Sequence, residues 1–283
     1  MTDWGCGTRP DRCRAAHGRA RPRTLLLAVS ALFGAGLSQH AEAGAWPRAK
    51  DETLLISTLA ITGAPNRLTA SGRPRGGAGF EKTELAAYLE TGWRDSTTLI
   101  GRLAWQDTIS GGDRQRGFSG LDLGARTRLW QFESGTVITA QATILLPLRE
   151  HRPGNPLLSS GHADYDLRLL QGEPDGILWL PGFTDSQLAY RHRGGKAPDE
   201  IRFDLTYGIP LSDDWLMLLQ GETTVTVGKA EAPFSHYRSQ KGIASLRWTF
   251  APGRHVQLGA IQTLSGAEIV RESGALVSFW AEF

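Results

Sequence analysis

The feature that most restricts this chain is a period of two. In Ile201-Arg-Phe-Asp-Leu-Thr-Tyr-Gly-Ile209 the side chains of Ile201, Phe203, Leu205, Tyr207 and Ile209 share one face, and Arg202, Asp204 and Thr206 share the other. Such a segment is a β-strand with one oily and one wet side, because successive strand side chains point to opposite faces. The same pattern sets Leu121, Leu123, Ala125 and Leu129 against Asp122, Arg126 and Arg128, and Tyr165, Leu167 and Leu169 against Asp164, Asp166 and Arg168. Alternation bounded by turn residues predicts about twelve strands, at 53–61, 80–91, 97–106, 118–130, 136–146, 163–171, 183–191, 200–208, 215–227, 237–250, 254–263 and 274–283. Segments 53–61, 136–146 and 183–191 alternate poorly, and no stretch carries competing helical periodicity.

A soluble sandwich or lipocalin-like barrel would share that period, so the ends of the chain and its loops must discriminate. The last segment alternates Ala275, Val277, Phe279, Ala281 and Phe283 with Ser278 and Glu282, and stops on an aromatic residue. A strand with one face on lipid and one on a polar lumen, ending in an interfacial aromatic, is how a bacterial outer-membrane barrel ends. A terminal Phe on such a strand also resembles the signal read by the barrel-assembly machinery, which is therefore an expected partner along with outer-membrane lipid.

The opposite end has six arginines, from Arg9 to Arg23, then an apolar run of 13 residues from Leu25 to Leu37, and then Ala41-Glu-Ala43. That is the n-region, h-region and cleavage site of a secretory signal peptide, and the run is shorter than the roughly 20 residues a membrane helix needs. Residues 1–43 are expected to be removed, leaving 44–283 as one barrel domain. The alternative is an anchor helix that stays. Removal takes both cysteines and six basic residues, leaving 25 basic and 26 acidic residues. The mature chain then offers no thiolate site or disulfide, and the basic charge that would attract nucleic acid belongs to the discarded segment.

With the carboxyl terminus placed in the periplasm, the short connections 92–96, 131–135, 209–214 and 251–253 fall inside, with one longer exception, 172–182. The connections 62–79, 107–117, 147–162, 192–199, 228–236 and 264–273 fall outside. Long loops outside and short turns inside are the outer-membrane pattern. The Gly, Pro, Arg and Ser content of 71–77 reads as mobile solvated chain. Trp93, Trp179, Trp215, Trp248 and Phe283 gather at the periplasmic ends as an interfacial girdle. Trp130 and Trp280 fall on the lumen side by parity. The expected architecture is an all-β, antiparallel up-and-down transmembrane barrel.

Parity then assigns the lumen. Its bases are Lys82, Arg102, Arg126, Arg128, Arg168, Arg191, Arg202, Arg247 and Lys241, and its acids are Glu84, Glu90, Asp122, Asp164, Asp166, Asp185, Asp204, Glu222 and Glu282. The charges nearly cancel. They line a narrow pore of weak ion selectivity or close the lumen with ion pairs. Neighbours such as Asp166 and Arg168, or Arg202 and Asp204, are spaced to pair.

A barrel-embedded lipid hydrolase would need His and Ser within hydrogen-bond reach, as in the outer-membrane phospholipase, where Ser stands two residues after His. None of His151, His162, His192, His236 and His255 has Ser two positions later, and the first four fall in loops. Asp213-Asp214 is ordinary turn chemistry. No catalytic residue, metal set or cofactor cradle is assigned.

Three stretches, Gly44-Ala-Trp-Pro47, Tyr165-Asp-Leu-Arg-Leu-Leu170 and Asp199-Glu-Ile-Arg-Phe-Asp-Leu-Thr-Tyr-Gly208, resemble proteobacterial outer-membrane proteins of the XagA-like and phenol-degradation types. The resemblance implies location in the Gram-negative outer membrane and an exopolysaccharide context. No catalytic residue carries over from it, and the polar inward faces lead to a porin-like or exopolysaccharide-associated channel for small polar solutes or surface polymer. A non-conducting structural or surface-interaction barrel is the rival reading.

Overall fold

The computed structural model describes residues 44–148, 161–176 and 180–283. The expected signal peptide, most of the 147–162 connection, His151 and Trp179 lie outside them. Each of the twelve patterned segments is a strand: β1 Thr53–Leu68, β2 Pro74–Arg94, β3 Thr97–Ser110, β4 Asp113–Gln131, β5 Val137–Pro147 and β6 Asp164–Glu173. Then come β7 Phe183–His192, β8 Asp199–Pro210, β9 Trp215–Val227, β10 Arg238–Ala251, β11 Arg254–Ala267 and, after the two-residue β12 Ile269–Val270, β13 Ser273–Glu282. Consecutive strands pair antiparallel, and the ring closes because β1 pairs with both β2 and β13. β12 only extends the outer end of β1, setting Val270 against Arg67. This is a closed twelve-stranded antiparallel barrel, in which each of the twelve long strands has a paired neighbour on both sides.

Closure leaves the faces to be satisfied, and the sequence pattern does so. Leu85, Leu89, Leu99, Leu167, Leu188, Phe203, Leu258 and Phe279 are exposed on the outer wall, as a lipid-facing belt requires. Glu90, Arg126, Asp166, Asp185, Glu200 and Arg247 are buried on the inner wall. An apolar exterior around a charged interior is the reverse of a water-soluble domain.

Two sequence expectations are corrected. Connections 62–79 and 107–117 are largely strand: β1 and β2 run out to a turn at 69–73, and β3 and β4 meet at Gly111-Gly112. Those glycines have φ of 63° and 94°, the left-handed pair that a tight hairpin turn needs, and its twist lets the strands continue to the tip. Glycine content thus marks turn chemistry here rather than mobile chain. Trp130, expected on the lumen side, points outward. A register shift between Arg128 and Trp130 sets Trp130 opposite Ile138, because a bulge inserts one residue and reverses the parity beyond it.

Candidate channel lumen

At the end where the termini lie, which the loop pattern assigns to the periplasm, the lumen holds three buried apolar clusters. Leu54, Ile56 and Trp280 form one buried cluster with Tyr88 against it. Ala45, Val137 and Leu170 form a second, and Phe183, Leu216 and Leu218 a third, with Trp46 packed against both of these. Trp46 meets Phe183 edge-on at 5.9 Å between ring centroids. The inner wall makes room for it at Gly172, where a Cβ would stand 2.8 Å from the indole.

Trp46 belongs to a segment preceding β1 that crosses the mouth of the barrel. The Ala45 amide donates to Asp185 Oδ2 at 2.5 Å, and Gln187 Nε2 donates to the other oxygen at 2.5 Å. The Arg48 amide donates to Thr98 Oγ1 at 2.8 Å, and the Lys50 amide to Asp95 Oδ1 at 3.2 Å. Backbone bonds from Asp51 to Gly92 and from Gly92 to Glu52 pin its end. The segment is therefore anchored on β2, β3, the β2–β3 turn and β7.

Glu90 is the electrostatic centre of this anchor. It is fully buried, and it accepts from Arg48 Nε at 3.1 Å, Arg126 Nη2 at 2.6 Å and Tyr88 OH at 2.7 Å. Arg126 Nη2 also reaches the Trp46 carbonyl at 3.4 Å, tying wall to segment. A buried carboxylate is tolerable only with such charged donors, since an isolated ion out of water costs several kcal/mol.

Toward the outside the inner wall carries two ion-pair ladders. On one, Arg102 lies 2.6 Å from Glu84 and 3.5 Å from Asp122, and Glu272 lies 3.3 Å from Lys241 and 3.9 Å from Lys82. On the other, Arg168 lies 2.6 Å from Asp204 and 3.3 Å from Asp166, which Arg191 also meets at 3.3 Å. Arg193 continues that ladder to Glu200 at 3.1 Å and Asp164 at 3.5 Å, and Tyr237 donates to Glu200 at 2.6 Å. Among the described residues no ion pair reaches Arg202, whose Nε is buried without a hydrogen-bond partner. Glu222 stands in register with Asp204 and Lys241, and Arg247 lies 5.5 Å from the Trp280 ring centroid.

Thus the structure sets Glu84, Glu90, Arg102, Asp122, Arg126, Asp164, Asp166, Arg168, Arg202, Asp204, Glu222 and Arg247 on the inner wall. Arg128 differs. It sits at the bulge near the periplasmic rim, where its Nη1 donates to Gln131 Oε1 at 2.7 Å. Trp280 does pack inside, donating from Nε1 to Gln257 at 3.0 Å.

Around the periplasmic rim Trp215 stacks on Trp248 at 6.0 Å, Trp248 meets Phe250, and Phe250 meets Phe279. Trp93 and Phe283 carry Arg94 and Arg254 over their rings at 4.3 and 4.7 Å. His192 ends β7, with Nδ1 3.1 Å from Asp199, and His255 bonds Thr249 at 2.8 Å.

No protein-family model matches the chain, and no curated relative matches its sequence. Solved structures do match its shape. An outer-membrane channel from Pseudomonas putida F1 superposes with a TM-score of 0.67, over 87% of this chain and all of that one, at 12% identity. The present chain has the fold of an outer-membrane β-barrel. The NanC porin superposes with a TM-score of 0.55 over 80% of this chain and 98% of its own, at 6% identity. The translocator domain of the autotransporter NalP from Neisseria meningitidis gives 0.50 over 92% and 98%, at 12% identity. At these identities the shared property is the barrel, so function must come from the lumen.

Sequence reasoning missed Arg48, Tyr88, Arg193, Glu200, Tyr237 and Glu272 as wall or segment residues. Glu200 and Tyr88 share the parity of the lumen faces already assigned, so the signal for them was present. Arg48 carried none, because it lies outside any strand.

Proposed function

We propose that this protein is a narrow outer-membrane channel for small polar solutes, held in a restricted state by residues 44–52. The observation that carries this reading is the segment seated across a polar, charge-compensated lumen. Paired charges on the wall support weak ion selectivity, because most of the cations that would attract an anion, Arg102, Arg126 and Arg168 among them, already face a carboxylate. A chain-like surface polymer is disfavoured by the same segment, which occupies the mouth such a polymer would have to thread. The signal peptide, cleaved after Ala43, and the terminal strand presented to the barrel-assembly machinery belong to the same proposal. Membership in the XagA-like and phenol-degradation group remains part of it through the Gly44-Ala-Trp-Pro47 stretch, which is the seated segment.

Planar-bilayer recordings of the refolded chain from Gly44 onward test the reading. Small, stable steps are expected, rising when residues 44–50 are deleted and, with less disturbance to folding, in Trp46→Ala. A folded barrel that stays silent in both variants overturns the channel and favours the non-conducting surface barrel. Hydrolysis of outer-membrane lipid by the extracted protein would instead mark an enzyme.

A further inference from the structure

At the end opposite the termini, the outward face of the first two hairpins is rich in arginine. Arg67 on β1 stands directly opposite Arg75 on β2 in the ladder. On β4, Arg114 and Arg116 follow Phe118 outward on the same face, and Phe118 is half exposed. Arg73 lies at the hairpin tip, and all of these arginines are exposed. The acids that could neutralise them are few. Asp107, which stands opposite Arg116 in the ladder, gives both of its oxygens to Arg114, and Glu81 is opposite Ile109. Among the described residues no ion pair reaches Arg67, Arg73, Arg75 or Arg116.

Like charges directly across an antiparallel pair repel. Nothing in the fold demands arginine there, since these positions face away from the lumen and the barrel closes without them. Height supplies the missing reason. Arg67 lies six residues beyond the lipid-facing Ile61, about 20 Å along a strand that rises about 3.3 Å per residue. Arg116 lies two residues beyond Phe118. The patch therefore begins at the edge of the apolar belt and climbs through the layer where lipid head groups reside.

We propose that this face binds the phosphate groups of outer-leaflet glycolipid, with Arg67, Arg75 and Arg116 as ligands. Guanidinium groups match phosphate with paired N–H donors, and a shared phosphate turns the Arg67–Arg75 repulsion into a bridge. The residues take no part in the lumen, so this binding stands or falls independently of conductance.

The experiment uses the folded chain from Gly44 onward in detergent, with three probes: rough lipopolysaccharide, the same glycolipid enzymatically dephosphorylated, and inorganic phosphate. Glycolipid retained through size exclusion and the temperature of the heat-modifiable gel shift are read together. The phosphorylated glycolipid is expected to be retained and to raise that temperature, and the dephosphorylated form to be lost. Retention is expected to fall about fivefold for each of Arg67→Gln, Arg75→Gln and Arg116→Gln, and to persist in the periplasmic-rim control Arg94→Gln/Arg128→Gln. Single variants keep the test available if a triple variant fails to fold. Unchanged retention in the three variants, equal retention of the dephosphorylated form, or full displacement by inorganic phosphate each overturns the proposal.

Discussion

At the scale of single residues, the lumen separates charges that hold the molecule together from charges that, in the proposed channel, would act on solute. Glu90 belongs to the first kind. Glu90→Gln leaves the Arg48 and Arg126 guanidiniums without their shared carboxylate in a buried site, and the expected cost is about 3 to 5 kcal/mol. A urea titration followed by the gel shift of folded barrel measures it, and a loss of only a few tenths would contradict this role. Arg202 belongs to the second kind. With no ion pair among the described residues, its change to Gln should shift reversal potentials toward cations while leaving the unfolding midpoint in place. Arg168→Gln, which takes from Asp204 its ion-pair partner among the described residues and leaves Asp166 with Arg191 alone, should disturb both. Which residues face inward was legible from parity alone at Asp122, Arg126, Asp166 and Arg202. Who pairs with whom was not, because Arg126 and Glu90 lie on β4 and β2 and meet only through barrel curvature and a third partner from outside the strands.

At the scale of elements, the strands were legible because two solvents of opposite kind flank each one. β5 and β7 alternated poorly for a physical reason. Their lumen faces include Val137, Phe183 and Ala189, two of them packed beneath Trp46, so both faces are apolar where the segment sits. The segment itself was illegible as structure, having no period and few residues. Its dependence on the wall is testable at Gly92, where an added Cβ would stand 1.8 Å from the Ala49 carbonyl oxygen. Gly92→Ala should therefore unseat residues 48–52 and increase conductance without opening the barrel. Recordings that match the parent would show that the segment does not limit flow. The bulge at Arg128 carries the complementary lesson: parity holds only until one residue is inserted, and nothing in Arg128-Leu-Trp130 announces the insertion.

At the scale of the whole molecule, closure depends on the meeting of the first and last strands. Ten residue pairs join β1 to β13, and the Phe283 and Thr53 backbones exchange two further hydrogen bonds at 2.9 and 3.2 Å. Removing Phe283 deletes that final exchange together with the ring under Arg254. The heat-modifiable fraction obtained on assembly into outer-membrane vesicles should drop severalfold, and an unchanged fraction would count against a role for the terminal aromatic. Architecture was thus open to reading from sequence in the carboxyl-terminal strand and in the other long strands of the barrel, whereas the occupied mouth was not.

That mouth is occupied by the direct continuation of β1, and β1 is the strand that must find β13. Arg48 leans on Glu90 of β2 and lies 3.8 Å from Glu282 of β13, so its site is complete only when the seam has zipped. The stopper cannot be fitted before the bottle is made. In the channel proposed here, a barrel arrested with its seam apart is therefore also a leaking one, and the interval between insertion and tightness is the time its first strand takes to reach its last.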